Sequence, residues 1–430
     1  MKKKYSQFNV FYKEDNQFIG FNTFNQEIIV LEELLFDLIS TKDAPSYLKV
    51  IHPEFYDFLQ KKGFIVNQSL DELEEVRKLM HSIDFDETSY ELTINPTMNC
   101  NFKCWYCYES HITQSSMSDD IKNRIIKHIE LITTNSQIKN VHFSWFGGEP
   151  LLEYEIIKSL IKRTVVITNK KGISFTSAFT TNGLLISDDM IQFFKDNYIN
   201  NFQITLDGHK NTHNEVRYIS KNKGSYERII NNIKLLIKNK FYVSIRINYS
   251  EETIINLNKI ADDFSDIVKK YNKFFSFGFH KVWQSKIEDV NSIEKHLNYF
   301  RDKGFSISTK SDNDTVRNSC YADKKNHATI NYNGDVFKCT ARDFKSSNKE
   351  GVLDKNGVII WNDKYTKRMN IKLTNKPCFT CKILPVCGGG CTQNSLENLK
   401  NSKEYCIYNY DENKKIEFIK DKLQAVYNEV

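Results

Sequence analysis

From Tyr90 onward the chain alternates between two hydrophobic rhythms. Short runs with a period of two occur at Tyr90–Asn95, Val141–Phe146, Ser174–Thr180, Phe202–Leu206, Phe241–Asn248 and Phe274–His280. Between them apolar residues recur at helical spacing, near 118–135, 153–169, 187–198, 225–239, 251–268 and 289–302. The first rhythm predicts strands and the second amphipathic helices. Six β-α units in series imply a parallel sheet with right-handed crossovers. Such a sheet curls into a barrel or part of one, with its working loops at the carboxyl ends of the strands.

Residues 1–85 follow a different pattern. Two aromatic-rich stretches, Phe8–Tyr12 and Gln17–Phe24, flank Lys13-Glu14-Asp15-Asn16 and predict a hairpin. A short apolar run, Ile28–Leu31, leads into a helix at Glu32–Ser40. A second helix, Pro53–Lys62, stops at Gly63 and precedes a strand at Phe64–Asn67. Ser69 then caps a charged helix through about 80, with Glu72 completing a capping box.

Composition narrows the class. A chain of 430 residues implies two or three domains, and 40% hydrophobic with 27% charged residues suits a globular protein with a real core. The net charge of +6 is mild and by itself argues neither for nor against nucleic acid; no nucleic-acid or membrane partner is expected. Met1–Phe18 has no apolar segment of the signal-peptide kind, and no run approaches the length a membrane span needs. The expected location is therefore the cytoplasm.

The ten cysteines change the picture most. They fall at 100, 104, 107, 320, 339, 378, 381, 387, 391 and 406. A disulfide framework fits poorly, because such frameworks belong to short secreted chains. The first group, Cys100-Asn-Phe-Lys-Cys104-Trp-Tyr-Cys107, is a C-x3-C-x2-C loop directly after the first predicted barrel strand. Three thiolates here can cap a [4Fe–4S] cluster and leave one iron open to a small molecule. Zinc is the competing reading, with His111 as a fourth ligand. The loop resembles the signature of the radical S-adenosylmethionine (radical SAM) enzymes, in which an aromatic precedes the last cysteine; Tyr106 stands there. That resemblance implies a partial (β/α)6 barrel, in agreement with the six units above.

Further positions follow from the same resemblance. Gly147-Gly148-Glu149-Pro150, after the second strand, looks like the family's GGEP motif, which implies that it holds the amino group of S-adenosylmethionine; a plain tight turn is the alternative. Asn182, in Thr181-Asn182-Gly183, can bond ribose hydroxyls or simply form a turn. Thr205 stands where the family often places a small hydroxyl near the cofactor. Arg217 and Arg246 are candidate partners for the cofactor carboxylate, against a structural or solvated role for each. His280 reads as an ordinary histidine.

The other seven cysteines read Cys320-x13-Gly334-x4-Cys339, then Cys378-x2-Cys381-x5-Cys387-x3-Cys391, then Cys406. Asn333-Gly334-Asp335 predicts a hairpin turn between Ala328–Asn331 and Val336–Cys339, and Gly388-Gly389-Gly390 allows tight folding around an inorganic core. A zinc ribbon is the competing reading. The pattern is similar to the SPASM domain that follows the barrel in many peptide-modifying radical SAM enzymes. That resemblance implies two auxiliary [4Fe–4S] clusters, one on Cys320, Cys339 and Cys391, the other on Cys378, Cys381, Cys387 and Cys406.

The amino terminus resembles the small winged-helix leader-recognition domains of ribosomal-peptide maturases, with a packing extension of the barrel as the alternative. The expected organisation is thus 1–85, a winged-helix-like α+β domain; 86–305, a radical SAM barrel; and 306–430, an auxiliary-cluster domain. The resemblance implies three [4Fe–4S] clusters, S-adenosylmethionine, a precursor peptide carrying a leader, and a flavodoxin- or ferredoxin-like one-electron reductant. Anaerobic sulfatase-maturating enzymes place a catalytic Asp directly after the cysteine matching Cys339; here that residue is Thr340, with Asp343 three further on. The expected activity is oxidative modification of a ribosomally made peptide by a thioether or carbon–carbon crosslink. A sulfatase maturase and a non-catalytic zinc or iron–sulfur peptide scaffold are the alternatives. No general base is assigned.

Overall fold

A computed structural model of the chain describes residues 2–14, 16–40, 45–220, 223–285, 291–308, 319–399 and 404–427. It divides into two compact units, one made of 1–86, 310–325 and 366–430, the other of 87–309 and 326–365.

The first unit opens with β1 (Lys3–Tyr5), β2 (Asn9–Glu14), β3 (Gln17–Asn22) and β4 (Glu27–Leu31). The expected hairpin is present as β2–β3; Asp15 in its turn lies outside the described residues. Strand β4 extends it to a three-stranded antiparallel sheet. Gly20 sits mid-sheet because a Cβ there would meet Phe11 at 2.7 Å and Ile29 at 2.8 Å. Helices α1 (Glu33–Ser40), α2 (Pro45–Ile51) and α3 (Pro53–Lys61) follow, then β5 (Ile65–Asn67), paired antiparallel with β1, and α4 (Glu72–Asp84).

The cap of α4 differs from the expectation. Asp71, not Ser69, accepts the Glu74 amide at 3.0 Å. Glu72 closes no capping box: it is buried, and its carboxylate accepts from Ser6 Oγ at 2.5 Å and Gln7 N at 3.2 Å. A buried carboxylate needs donors more than an exposed turn needs a cap.

The second unit carries the barrel. Its elements in order are β6 (Ser89–Asn95), α5 (Asp119–Ile132), β7 (Asn140–Trp145), α6 (Tyr154–Lys170), β8 (Ser174–Thr181), α7 (Asp188–Asp196) and β9 (Ile199–Leu206). Next come α8 (Lys210–Val216), the small pair β10 (Tyr218–Ser220) and β11 (Lys223–Gly224), α9 (Tyr226–Lys238) and β12 (Tyr242–Tyr249). The series continues with α10 (Asn258–Asp263), α11 (Ser265–Tyr271), β13 (Phe275–Lys281), α12 (Asn291–Asp302) and β14 (Ile307–Ser308). The six expected strands are all present and all parallel.

The helix expected over 251–268 starts only at Asn258 and breaks at Phe264. Ser250 N donates to Thr253 Oγ1 at 2.7 Å, a side-chain turn that competes with helix at its start.

Strand β15 (His327–Asn331) joins the barrel sheet by pairing parallel with β6, from His327↔Glu91 to Asn331↔Asn95. It forms the predicted hairpin with β16 (Asp335–Phe337), and β17 (Gly351–Leu353) and β18 (Ile359–Trp361) extend the sheet antiparallel. The sheet order is β14-β13-β12-β9-β8-β7-β6-β15-β16-β17-β18. Residues 326–365 therefore belong with the barrel, and the three consecutive segments expected from sequence are not the compact units observed. Ala328, Ile330, Val336 and Leu353 share one buried core with Leu92 and Ile94, and that shared burial draws the segment in.

Alternation along the strands sorts this core from the site. Phe202, Ile204 and Leu206 of β9 are buried in the helix-facing core with Phe143, Trp145 and Phe194, while Gln203 and Thr205 face the other way and line a cavity.

After α13 (Asp363–Ile371) the chain adds α14 (Leu384–Cys387), α15 (Thr392–Leu399) and α16 (Glu412–Tyr427). In the first unit, Ile383, Val386, Ile419 and Leu423 pack against Val10, Tyr12, Ile19 and Phe21 of the amino-terminal sheet. No helix among the described residues is long and apolar enough to cross a membrane.

Candidate functional site

The loop leaving β6 is braced before it reaches its first cysteine. Ser115 Oγ accepts the Met98 amide at 2.8 Å, Thr97 Oγ1 accepts that of Asn99 at 2.9 Å, and Phe102 is buried beneath the loop. Cys100, Cys104 and Cys107 then line a cavity in the second unit. Burial pushes the Cys100 thiol up to about 12 and Cys107 up to about 11, and a bound cation would favour their thiolate forms. His111 Nε2 lies 3.6 Å from Cys107 Sγ.

Tyr106 fastens this loop to the barrel. Its hydroxyl donates to Asp207 Oδ1 at 2.6 Å and accepts from Arg217 Nη2 at 2.8 Å and Asn248 Nδ2 at 3.0 Å. Arg217 Nε is also paired with Asp207 Oδ2. Burial alone would lower the Arg217 guanidinium; the Asp207 carboxylate outweighs it and holds the group firmly charged. Arg246 differs. Its Nε donates to Asn248 Oδ1 at 2.8 Å, and among the described residues it has no carboxylate partner. Burial lowers its pKa, with the like charge of Arg217 adding to the effect. Both arginines line the cavity, but only Arg246 has its fork available for an anion.

The GGEP segment requires its glycines. Gly147 has φ +79° and Gly148 φ +51°, and a Cβ on Gly148 would lie 2.2 Å from the Asn99 carbonyl oxygen. The Gly148 amide donates to Glu109 Oε2 at 2.8 Å, and the Glu149 amide to Asn99 O at 2.8 Å. The Glu149 side chain is fully buried and turned away from the cavity lining. It accepts from Leu151 N at 3.0 Å, Thr181 Oγ1 at 2.7 Å and Asn182 N at 2.7 Å, joining this turn to the end of β8. Burial raises its pKa despite those three bonds. Pro150 opens a short 3-10 turn and is likewise outside the lining, whereas Gly147, Gly148, Asn182 and Thr205 are part of it. Asn182 Nδ2 donates to Asn101 Oδ1 at 2.7 Å, within the cysteine loop.

Sequence reasoning missed several residues here. Asp207 was hidden in Leu206-Asp207-Gly208, which reads as a strand-ending turn. Glu109 was hidden two residues past the last cysteine; it lines the cavity, and burial first, with Asp343 adding, raises its carboxyl to about 7 against the Gly148 bond. Asn248, Lys281 and Trp283 also line the cavity, and Trp283 stacks on Tyr108 at 6.0 Å. Asp343 accepts from Ser110 N at 2.9 Å and Ser110 Oγ at 2.6 Å, and pairs with Lys345 at 3.0 Å. Burial works to raise its pKa, and these donors together hold it below the usual range.

Four of the other cysteines meet in the first unit. Cys378, Cys381, Cys387 and Cys406 line one cavity with Gly389, Gly390 and Lys415. Burial pushes the Cys387 thiol up to about 12, with the neighbouring cysteines adding to it. Cys320 and Cys391 also belong to the first unit, where Thr392 Oγ1 donates to Asp323 Oδ1 at 2.5 Å and ties their two segments together. Cys339 follows β16 in the second unit, and its sulfur accepts the Ala341 amide at 3.4 Å. None of the ten cysteines is in a disulfide. Among the described residues, no three His, Cys, Asp or Glu side chains converge as they would around one metal ion; the thiols are spread over cavity walls instead.

Residues 94–264 match the model of the radical SAM superfamily. The chain is 26% identical over 358 residues to a cysteine-type anaerobic sulfatase-maturating enzyme of Clostridium novyi, covering 74% of this chain and 92% of that protein. It is 23% identical over 436 residues to the radical SAM cyclopropyl synthase TigE of Paramaledivibacter caminithermalis, covering 89% and 88%. Among solved structures, native anSMEcpe with bound AdoMet and Cp18Cys peptide superposes with a TM-score of 0.53 at 21% identity, over 70% of this chain and 89% of that one. Streptococcus suis SuiB bound to S-adenosylmethionine superposes with a TM-score of 0.50 at 19% identity, over 94% and 98%. The chain carries a radical SAM domain and has the α/β fold of the radical SAM enzymes.

Proposed function

We propose that this radical SAM enzyme, a relative of peptide-modifying and sulfatase-maturating enzymes, oxidatively modifies a ribosomally made precursor peptide, closing a thioether or carbon–carbon crosslink. Membership of the superfamily implies one [4Fe–4S] cluster and S-adenosylmethionine. Cys100, Cys104 and Cys107 are the residues to hold that cluster, together on the wall of one cavity. When bound, the pair supplies reductive C–S cleavage to a 5′-deoxyadenosyl radical that removes a hydrogen atom from an unactivated carbon. The chain's own part is orientation. Gly147 and Gly148 leave room for close backbone approach, Arg246 offers a fork to the cofactor carboxylate, and Asn182 and Thr205 offer hydroxyl-bonding groups. Cys378, Cys381, Cys387 and Cys406 would hold an auxiliary cluster able to accept an electron, and a small flavodoxin- or ferredoxin-like protein would supply the electron that starts the reaction.

The observation that favours a peptide crosslink over sulfatase maturation is the residue after Cys339. Thr340 stands where the sulfatase maturases carry a catalytic Asp, and its carbonyl accepts the Tyr108 hydroxyl at 2.7 Å. The nearest acid in sequence, Asp343, is engaged by Ser110 and Lys345. The wide match to TigE, across 89% of this chain, points the same way. The match to the Clostridium novyi enzyme, across 92% of that protein, favours the sulfatase reading. Mass spectrometry separates them. The anaerobically reconstituted enzyme is given S-adenosylmethionine, a reductant and either a precursor peptide encoded by a neighbouring reading frame or a sulfatase peptide. Loss of two hydrogens from the precursor without a hydrazide-reactive aldehyde supports the crosslink. An aldehyde on the sulfatase peptide establishes the alternative instead.

A further inference from the structure

The cavity shared by Cys378, Cys381, Cys387 and Cys406 contains one feature that the cysteine spacing does not require. Lys415, in the first turn of α16, is only 8% exposed and lines the cavity beside all four thiols. Its ammonium is held by Glu412 at 2.5 Å, whose own side chain is 70% exposed and so lies largely in water. The other walls include Ile383, Leu384 and Ile407, which keep the local dielectric low and make a single charge strongly felt. Behind one of these thiols, Asn375 Nδ2 donates to Cys378 Sγ at 3.3 Å and is itself anchored on Tyr405 O at 2.8 Å.

We propose that Lys415 sets the reduction potential of the group held by these four cysteines, holding a positive charge against it and so favouring the form that carries one more electron. The inference rests on the reading above that the four thiolates hold a [4Fe–4S] cluster. Four thiolates leave such a cluster with net negative charge, and its potential responds to nearby charge, to hydrogen bonds on sulfur and to solvent exposure. Lys415 and Asn375 act in the same direction. The role fits the electron balance of the proposed reaction. Of the two hydrogens lost by the peptide, one leaves as an atom to the 5′-deoxyadenosyl radical and the other as a proton with its electron left behind. An acceptor of raised potential takes that electron.

The test uses the full chain with Cys100, Cys104 and Cys107 replaced by Ala, reconstituted with iron and sulfide and titrated with dithionite under redox mediators while spectra are recorded. Lys415→Gln is expected to move one auxiliary wave to more negative potential, and Lys415→Arg to leave it in place. Glu412→Gln, an exposed change with little risk to folding, is expected to move the same wave to less negative potential. Unmoved waves in both Lys415→Gln and Glu412→Gln, with iron content retained, would overturn the proposal; if Lys415→Gln loses its iron, the Glu412→Gln titration alone decides. A Cys387→Ala protein that keeps its full iron and sulfide would instead refute the cluster reading on which it rests.

Discussion

The Tyr106 hydroxyl donates a 2.6 Å hydrogen bond to the Asp207 carboxylate, fastening the cysteine loop to the end of barrel strand β9. Asp207 is 1% exposed and also neutralises Arg217. One carboxylate therefore anchors the loop and pairs with one of the two cavity arginines.

Asp207→Ala leaves the Arg217 charge buried and unpaired, which costs about 3–5 kcal/mol. Tyr106→Phe leaves the charge pair intact and removes the hydroxyl bonds, a loss of about 1–3 kcal/mol. Thermal unfolding should rank the two in that order. Equal Tm values for both variants would contradict this division of roles.

Arg217 and Arg246 should separate by assay. Arg246→Gln is expected to weaken S-adenosylmethionine binding roughly 10- to 100-fold, the worth of a charge-assisted bond, with little change in Tm. Arg217→Gln is expected to lower Tm, because Asp207 loses its counter-charge. Calorimetric titration of the reconstituted protein with the cofactor reads the first, and a melting curve the second.

Two glycines with positive φ give a matched pair. Gly148→Ala places its Cβ 2.2 Å from a backbone oxygen, so the loop must shift, and cofactor cleavage should fall to background. Gly172→Ala has φ +67° but nothing within 4 Å, and should cost only about 1 kcal/mol with activity retained. Measuring 5′-deoxyadenosine release and Tm for both separates crowding from backbone strain.

Acid should destabilise the barrel through His213. It is fully buried, its Nδ1 accepts the Asp207 amide at 3.2 Å and its Nε2 meets Ser225 Oγ at 3.0 Å. Burial, with Arg217 adding, holds its pKa well below the ordinary histidine value. The unfolded chain therefore binds the proton more readily. The stability tied to neutral His213 is present above the unfolded value of about 6.5 and is lost as pH falls below it. Tm of the parent protein should drop faster than that of His213→Gln between neutral and mildly acid pH. Parallel curves would contradict the assignment.

How far the sequence reveals this architecture depends on the range of the interaction. Strands β6, β7, β8, β9, β12 and β13 and most of the helices between them follow from local alternation, because period-two and helical burial are written into neighbouring residues. The cysteine loop and the Gly147–Gly148 turn are legible for the same reason. The join between β15 and β6 is not: Asn95 meets Asn331 across 236 residues, and no local pattern announces that pairing. Asp207 is hidden likewise. Its neighbours in sequence mark a turn, while its partners Tyr106 and Arg217 lie 101 and 10 residues away. The α8, β10 and β11 insertion is short and weakly patterned, so it passes for a loop.

Hydrogen transfer from peptide to cofactor is followed with an isotope. A precursor peptide deuterated at carbon is incubated with the reconstituted enzyme, S-adenosylmethionine and reductant, and the released 5′-deoxyadenosine is weighed by mass spectrometry. 5′-Deoxyadenosine carrying one deuterium is expected, matched by a peptide that has lost two hydrogens, one of them as that deuterium, and neither product with Cys104→Ala. Deuterium-free 5′-deoxyadenosine from the parent enzyme, beside an unchanged peptide, would contradict that transfer.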